Sequence, residues 1–303
     1  MKEQRERTKQ TGITGIDIKS IFPIIRFDVK DDEIISETEL KGVHIFYESN
    51  NPIVILDDIS IDDLKNLIGK MEYRFRKGVG YKGEYYRLKF KEKSNGKYIF
   101  YRHKKVKNRL KVDENSTLVL NVEDLKYIYP LVLAPDLEDN GMHWSENYII
   151  FPYEYGEKQP IPRDRLKETA PNLYNYLFSV RELLIRQSRY NKRIQNTNEF
   201  YGVIRVGKYT YSDIFVAMRD NTKLSPCMVG KIKTHWGEYK NPIFDNHVSY
   251  VGVESVEEAE YLINKLKDKK IEKIISEIFD ARSIGSRLPF NIPKYQPKGK
   301  DYE

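Results

Sequence analysis

Residues Lys70–Lys111 read KMEYRFRKGVGYKGEYYRLKFKEKSNGKYIFYRHKKVKNRLK. The Tyr-x-Phe and Leu-Lys-Phe-Lys alternation is the pattern of antiparallel strands with one wet face. The stretch holds sixteen Lys and Arg against three acids, Glu72, Glu84 and Glu92. Six tyrosines and three phenylalanines are interleaved: Tyr73, Phe75, Tyr81, Tyr85, Tyr86, Phe90, Tyr98, Phe100 and Tyr101. Its excess of thirteen positive charges exceeds the +7 of the whole chain, so the remainder is net acidic. Concentrated cations displace counterions from a polyanion, and aromatic rings offer stacking faces to bases, so the stretch reads as a nucleic-acid surface. The plainer reading stands beside it: a lysine-rich face that keeps a sheet soluble and blunts its edges.

Gly78-Val79-Gly80-Tyr81-Lys82-Gly83 matches the dinucleotide fingerprint G-x-G-x-x-G. That fingerprint needs an apolar strand before it and a helix after it. Here Arg74, Arg76 and Lys77 precede it and the strand-like EYYRLKFK follows, so the context is a glycine-rich turn between strands.

The 303 residues suffice for one large domain or two ordinary ones. The 40% apolar content fills a real core, which argues against disorder. One cysteine, Cys227, rules out a disulfide framework and a cysteine-based zinc site. The charged start MKEQRERTKQ argues against a secretory signal, and no apolar run is long enough to span a membrane. The expected compartment is the cytoplasm.

Short apolar runs from Thr14 to Val29, punctuated by Gly15 and Pro23, predict two strands with a kink. Residues 43–56 predict a hairpin turning at Ser49-Asn50-Asn51-Pro52. Ser60 caps a short helix to Ile68, ended by Gly69. After the basic stretch, Leu118–Leu133 continues as strand or turn, residues 134–147 form a loop, and Tyr148–Tyr153 is a buried strand. A helix is expected from Pro171 to Tyr190 on the stripe Leu173, Leu177, Val180 and Leu184. Arg181, Arg186 and Arg189 at its end either complement the helix dipole or aim at phosphates. Residues 200–218 read as two strands hinged at Gly207, Met228–His235 as another, and Val248–Val253 as a short one. Ser255 and Glu258 form a capping box before the stripe Ala259, Leu262, Ile263 and Leu266, and Ile271–Phe279 is a further helix. The fold class is α+β, mixed, mainly antiparallel strands with a few short-to-medium helices. The segments are an N-terminal β-rich stretch that is a connector or a partner-docking element (1–58), a main domain (59–297) and a tail (298–303).

Several stretches together resemble one family. Glu72–Gly78 resembles its aromatic, arginine-rich opening, and Leu125–Val132 its tyrosine-proline-leucine segment. Pro171–Arg189, with Tyr176, Leu177, Leu184, Arg186 and Ser188, is similar to its Y-L…L…R-x-S helix. Phe200–Tyr211 is similar to its V-G-x-Y-T-F strands, and Val251–Leu266 to its E-E-A-x-Y-L helix. Ile292-Pro293-Lys294-Tyr295 resembles its closing motif. The family is the TaqI-like target-recognition (specificity) domain of type IIG restriction–modification enzymes and adenine-N6 DNA methyltransferases. The resemblance spans roughly residues 60–297. It implies a domain that grips duplex DNA and reads target bases for a methyltransferase or restriction partner. S-adenosylmethionine is then expected only in that partner, because this chain has neither the Phe-x-Gly-x-Gly motif nor the Asn/Asp-Pro-Pro-aromatic tetrad. Ile214-Phe215-Val216 stands where the family often has lysine-valine-valine.

The residues assigned to DNA are Arg74, Arg76, Lys77, Tyr81, Lys82, Arg87, Arg186, Ser188, Arg189, Tyr190, Lys208, Tyr209, Arg282 and Ser283. Arginine suits them because its fork pairs two donors with phosphate or with the guanine edge. No catalytic residue, metal or cofactor is assigned to the chain itself. Two alternatives remain: a freestanding RNA- or single-strand-binding module, and a metal-dependent nuclease built on Asp136 with Glu154 or with Glu238-Tyr239-Lys240. The five histidines, His44, His103, His143, His235 and His247, lack ligand spacing, and Cys227 reads as a structural thiol.

Overall fold

The computed structural model describes residues 21–30, 33–44, 53–55, 62, 66–69, 71–139, 141–186, 199–219, 224–276 and 290–297. The chain forms two compact units, residues 75–263 and residues 1–74 with 264–303. Their boundaries fall at 74/75 and 263/264.

The smaller unit contains a three-stranded antiparallel sheet, β1 (Ile21–Lys30), β2 (Glu33–His44) and β3 (Ile53–Ile55). Pro23 does not split β1 in two as expected. It sits inside one strand at the sheet edge, the place in a sheet where proline is tolerated. The expected 43–56 hairpin is present as the pairing Gly42↔Ile55 to His44↔Ile53; its turn residues, and Thr14–Ser20, lie outside the described residues. Of the Ser60–Ile68 helix, Asp62, Asn66 and Leu67 are helical and residues 60, 61 and 63–65 lie outside the described residues. The C-terminal segment lies along residues 67–73: Asn291 N–H donates to Leu67 O (2.7 Å), Glu72 N–H to Ile292 O (3.1 Å) and Tyr295 N–H to the Tyr73 hydroxyl (2.9 Å).

The larger unit opens with β4 (Arg76–Lys77), a glycine-rich bend and a single helical turn, α1 (Gly83–Tyr86). Gly78 is required there by close approach. A Cβ on it would stand 2.1 Å from the Asp245 carbonyl oxygen and 2.3 Å from that of Phe244. The basic stretch then forms β5 (Arg87–Ser94), β6 (Lys97–Val106) and β7 (Arg109–Leu120) as an antiparallel meander. Asn95-Gly96 and Lys107-Asn108 make the two turns, with φ of 49° and 73°, and 45° and 66°. Positive φ at both central residues is the type I′ geometry that matches strand twist.

After a 3₁₀ turn (Glu123–Tyr127) come β8 (Ile128–Val132), the small pair β9 (Leu137–Glu138) and β10 (Gly141–Met142), and β11 (Asn147–Ile150). Helices α2 (Arg163–Thr169), α3 (Pro171–Ser179) and α4 (Arg181–Ile185) follow. The buried Asp124 carboxylate accepts the Leu173 N–H (3.0 Å) and so satisfies an orphan donor at the start of α3. The expected single helix to Tyr190 is broken. Val180 leaves helical geometry (φ −103°, ψ 9°), and the Ser179 hydroxyl bonds back to the Tyr176 carbonyl at 2.7 Å.

Strands β12 (Ile214–Arg219), β13 (Cys227–Val229), β14 (Ile232–Lys233), β15 (Tyr239–Lys240), β16 (Ile243–Phe244) and β17 (Val248–Val253) complete the sheets. Residues 200–218 are not two strands hinged at Gly207. Lys208–Thr210 is a 3₁₀ turn, closed by the Thr210 hydroxyl accepting the Gly207 N–H (3.1 Å), and only β12 is a strand. Met228–His235 is likewise two short strands, not one.

The six-stranded sheet has the order β16-β8-β11-β5-β6-β7, antiparallel except for the parallel β16–β8 pair. The four-stranded sheet runs β13-β12-β17-β4, all antiparallel. The larger core joins Leu88, Phe100, Tyr148, Ile149 and Phe151 to Leu166, Leu173 and Leu177 of the helices. The second gathers Phe215, Phe244, Val248 and Tyr250, with the Phe244 and Tyr250 rings stacked 4.5 Å apart. Cys227 is buried in it. The chain is thus α+β with mainly antiparallel strands.

Helix α5 (Val256–Leu266) carries the expected Ser255 cap: Glu258 N–H donates to the Ser255 hydroxyl (3.1 Å), while the Glu258 carboxylate accepts the N–H of Glu254 (2.7 Å), one residue before the cap. Ala259, Leu262 and Leu266 are buried along one face. Helix α6 (Lys269–Ser276) follows. No helix among the described residues is long and apolar enough to cross a membrane.

Candidate nucleic-acid interface

Strand β5 pairs with β6 only as far as Leu88↔Arg102. Beyond that point, His103–Val106 and Arg109–Val112 pair with each other alone. They make a two-stranded ribbon extending past the third strand. Residues 97–111 carry seven Lys and Arg and no acid, and Lys104, Lys105, Lys107, Arg109 and Lys111 are all exposed. Lys104 and Lys111 are direct cross-strand partners. By the two-residue alternation of a strand, Arg102, Lys104, Val106, Arg109, Lys111 and Asp113 share one face. Asp113 is the acid on that face; it meets Lys104 at 2.9 Å, a hydrogen bond that holds its carboxyl below the usual carboxylate range.

On the other face His103 is buried, and its Nδ1–H donates to the Arg87 carbonyl at 3.0 Å. Burial lowers the His103 pKa to about 4, so the ring is neutral at pH 7. Leu110 presses on α1, where a Cβ on Gly83 would meet Leu110 Cδ1. A bulge between Tyr101 and Arg102 shifts the register, and Arg102 Nε there bonds Ser116 Oγ at 2.6 Å.

The aromatic half of the expected surface is absent. None of the nine rings between Tyr73 and Tyr101 is exposed. Tyr73, Phe75, Tyr86, Tyr98 and Phe100 are buried, and Tyr81, Tyr85, Phe90 and Tyr101 are half-buried. Lysines fold over ring faces instead, with Lys82 5.6 Å from Tyr85, Lys91 5.4 Å from Tyr101 and Lys93 5.1 Å from Tyr98. The stretch therefore offers cations without a stacking platform.

Two residues assigned to DNA are committed to the interior. The Tyr81 hydroxyl donates to Asp245 Oδ2 (2.7 Å), and Arg87 Nη2 reaches the Tyr81 oxygen (2.9 Å) and Asp245 Oδ2 (3.3 Å). Burial raises the Tyr81 pKa well above its ordinary value. Arg87 and Asp245 thus pin the start of β5 to the end of β16, and neither Tyr81 nor Arg87 has its polar group free for phosphate.

Arg76 and Tyr209 do come together, the guanidinium 5.1 Å over the ring. Exposed Lys208 adjoins them, and exposed Arg205, at φ 65°, reaches the Gly78 carbonyl at 3.5 Å. Lys77 is half-buried in β4, Lys82 lies over Tyr85, and Arg186 is exposed at the end of α4. Arg74 is exposed and belongs to the smaller unit. Ser188, Arg189, Tyr190, Arg282 and Ser283 lie outside the described residues. The distal ribbon residues and Arg205 were missed by the assignment. The signal for the ribbon was present in Val106-Lys107-Asn108-Arg109-Leu110, a two-residue asparagine turn between alternating segments.

The acids considered for metal chemistry are occupied. Asp136 accepts the Leu133 N–H (2.9 Å) and the Ser145 N–H (3.3 Å), closing the turn before β9, and burial raises its pKa. Glu154 pairs with Lys126 (3.0 Å) and Arg165 (3.2 Å). His235 Nδ1 and the Tyr148 hydroxyl share a hydrogen bond of 2.7 Å, and the His235 ring stacks on Phe90 at 4.6 Å. Among the described residues no three His, Cys, Asp or Glu side chains are grouped to hold a metal ion.

No protein-family model matches the chain, and no curated protein matches it. The likeness to specificity domains therefore rests on the residues quoted for it.

Proposed function

We propose that this protein binds duplex DNA through the β6–β7 ribbon and serves as the target-recognition part of an adenine-N6 restriction–modification system. The observation that carries the reading is the acid-free ribbon, with five exposed cations between Lys104 and Lys111. A two-stranded ribbon is marginal by itself, and opposed like charges weaken it further. Such a structure is explained when an external polyanion balances it. The major groove, about 12 Å wide, admits a two-stranded ribbon with phosphates along both rims. The inward rings favour a duplex over stacking on single strands along this stretch. Arg76, Arg205 and Lys208 around Tyr209 are a second group of cations for the backbone. The resemblance to specificity domains supports a methyltransferase or restriction partner that supplies S-adenosylmethionine and the chemistry.

A salt titration of duplex binding tests this. With about six phosphates neutralised, log K falls against log salt with a slope of about −5. The triple variant Lys104→Glu/Lys107→Glu/Arg109→Glu abolishes binding while leaving the thermal transition in place. A slope near −1, or tighter binding of single strands than of duplex, rules the proposal out.

A further inference from the structure

Tyr209 draws together two arginines from distant parts of the sequence. Arg76 arrives on β4, which pairs with β17 through Arg76↔Tyr250, and its guanidinium lies 5.1 Å over the Tyr209 ring. Arg205 arrives on a segment that returns to the glycine-rich bend: Ile204 and Gly80 exchange two backbone hydrogen bonds of 3.0 Å. Arg205 Nη1 then reaches the Gly78 carbonyl, two residues beyond Arg76, at 3.5 Å. The backbone is bent to allow this. Arg205 holds a φ of 65°, a conformation that costs energy for a residue with a Cβ. Gly207 leaves room for the ring, since a Cβ there would stand 2.5 Å from Tyr209 Cε1. The Tyr250 ring, 6.4 Å from that of Tyr209, completes the setting.

No acid balances these charges. Among the described residues neither arginine has a carboxylate partner, nor has exposed Lys208, the chain neighbour of Tyr209. Asp245, whose backbone packs on Gly78, spends its carboxylate on the Tyr81 hydroxyl, Arg87 and the His247 N–H. Both guanidinium charges bear on the Tyr209 hydroxyl, and no described carboxylate does. Burial raises the pKa of that hydroxyl, so it is protonated at pH 7 and able to donate. Tyr209 is only half-buried, and its hydroxyl is not among the described groups sealed from solvent without a partner. Two planar cations and a neutral donor at one place are the complement of a phosphate. A phosphate inside a strand carries a single charge. A terminal one carries about −1.5 to −2 and offers three acceptor oxygens, which matches the surplus of cations here.

We infer that Arg76, Arg205 and Tyr209 seat a phosphate monoester, the terminal phosphate of a nucleic-acid strand, with Lys208 at the rim. This rests on the nucleic-acid reading for its source and names which phosphate this group of cations takes. The binding itself is independent of the ribbon, because a free phosphate presents the same oxygens. The arginines hold the charge, and the Tyr209 hydroxyl donates to an oxygen between them.

The test uses the full chain in two arms. In the first, inorganic phosphate is titrated at constant ionic strength. It binds, and Arg205→Gln and Tyr209→Phe each weaken it about tenfold or more. Tyr209→Phe keeps the ring beneath Arg76, so its loss reads the hydroxyl and not the packing. The ribbon variant Lys104→Glu/Lys107→Glu/Arg109→Glu leaves phosphate affinity unchanged. In the second arm, a short duplex with 5′-phosphate ends binds about tenfold tighter than the same duplex with 5′-hydroxyl ends, and both single variants erase that ratio. No binding of phosphate, or binding that neither variant weakens, overturns the inference. Equal binding of the two duplexes overturns the strand end as the source and assigns the site to a free phosphorylated molecule. Failure of phosphate with duplex binding intact removes this site alone, whereas failure of both duplexes with phosphate bound removes only the ribbon reading.

Discussion

Lys104 and Lys111 stand opposite each other across the β6–β7 ladder, two ammonium-bearing side chains on the exposed face of the ribbon. Opposed like charges in a sheet cost a few tenths to about 1 kcal/mol. Lys111→Thr is therefore expected to raise stability by roughly 0.2–1 kcal/mol. The same change is expected to weaken duplex binding and to flatten the salt slope by about 0.9. Paired urea melts and salt titrations check both halves. A variant that is neither more stable nor weaker in binding would remove the reason for placing Lys111 at the interface.

Asp245 neutralises a guanidinium that is itself largely buried, with side-chain exposures of 8% and 15%. Arg87 Nε already lacks a partner. Asp245→Ala leaves a buried charge held only by the Tyr81 hydroxyl, and a loss of about 3–5 kcal/mol is expected. The urea midpoint measures it; a loss below 1 kcal/mol would show that water reaches Arg87.

Gly78→Ala places a methyl against two backbone carbonyls at 2.1 and 2.3 Å. Backbone cannot swing aside as a side chain can, so the cost is expected at or above the usual overpacking range of about 1–3 kcal/mol. The pairing of β4 with β17 should be lost first, which amide exchange at Ser249 and Tyr250 reports. Wild-type protection at both amides would contradict this.

His103 is neutral when folded, with a pKa of about 4 set chiefly by burial and further lowered by Arg87 and Lys89. Unfolded, it titrates near 6.5. The unfolded chain thus takes up its proton first. The histidine's contribution is complete above about pH 6.5 and is lost as pH falls towards about 4, a change of about 2–3 kcal/mol. His103→Gln should remove that component from the pH profile of the urea midpoint. An unchanged profile would mean that the ring is solvated.

Local signals in the sequence carried well. Ser255 and Glu258 lie three residues apart, and the Ser255 hydroxyl caps the Glu258 N–H as their spacing implies. The alternation of residues 87–120 became strands because one face of β5 and β6 has Leu88, Tyr98 and Phe100 to bury. What failed depended on distant partners or on competition within a turn. Tyr81 and Arg87 read as surface contacts because Asp245, their partner, is 158 residues beyond Arg87. The Thr210 hydroxyl ended the strand expected through Gly207, and a serine back-bond helped break the helix at Val180. Tyr155 and Tyr239 line one groove although they lie 84 residues apart, a meeting that no local spacing announces.

The self-contained pairing of residues 103–112 makes this finger of the protein exchangeable. Its length can grow or shrink by one residue in each strand around the Lys107-Asn108 turn without moving Phe100 or Leu120, both fully buried in the core. Each such step inverts which side chains face outward at the tip, and a double step restores them. A lineage could thereby retune what the finger touches while the body beneath it stays the same, provided that Leu110, or a residue of its shape, still rests on Gly83.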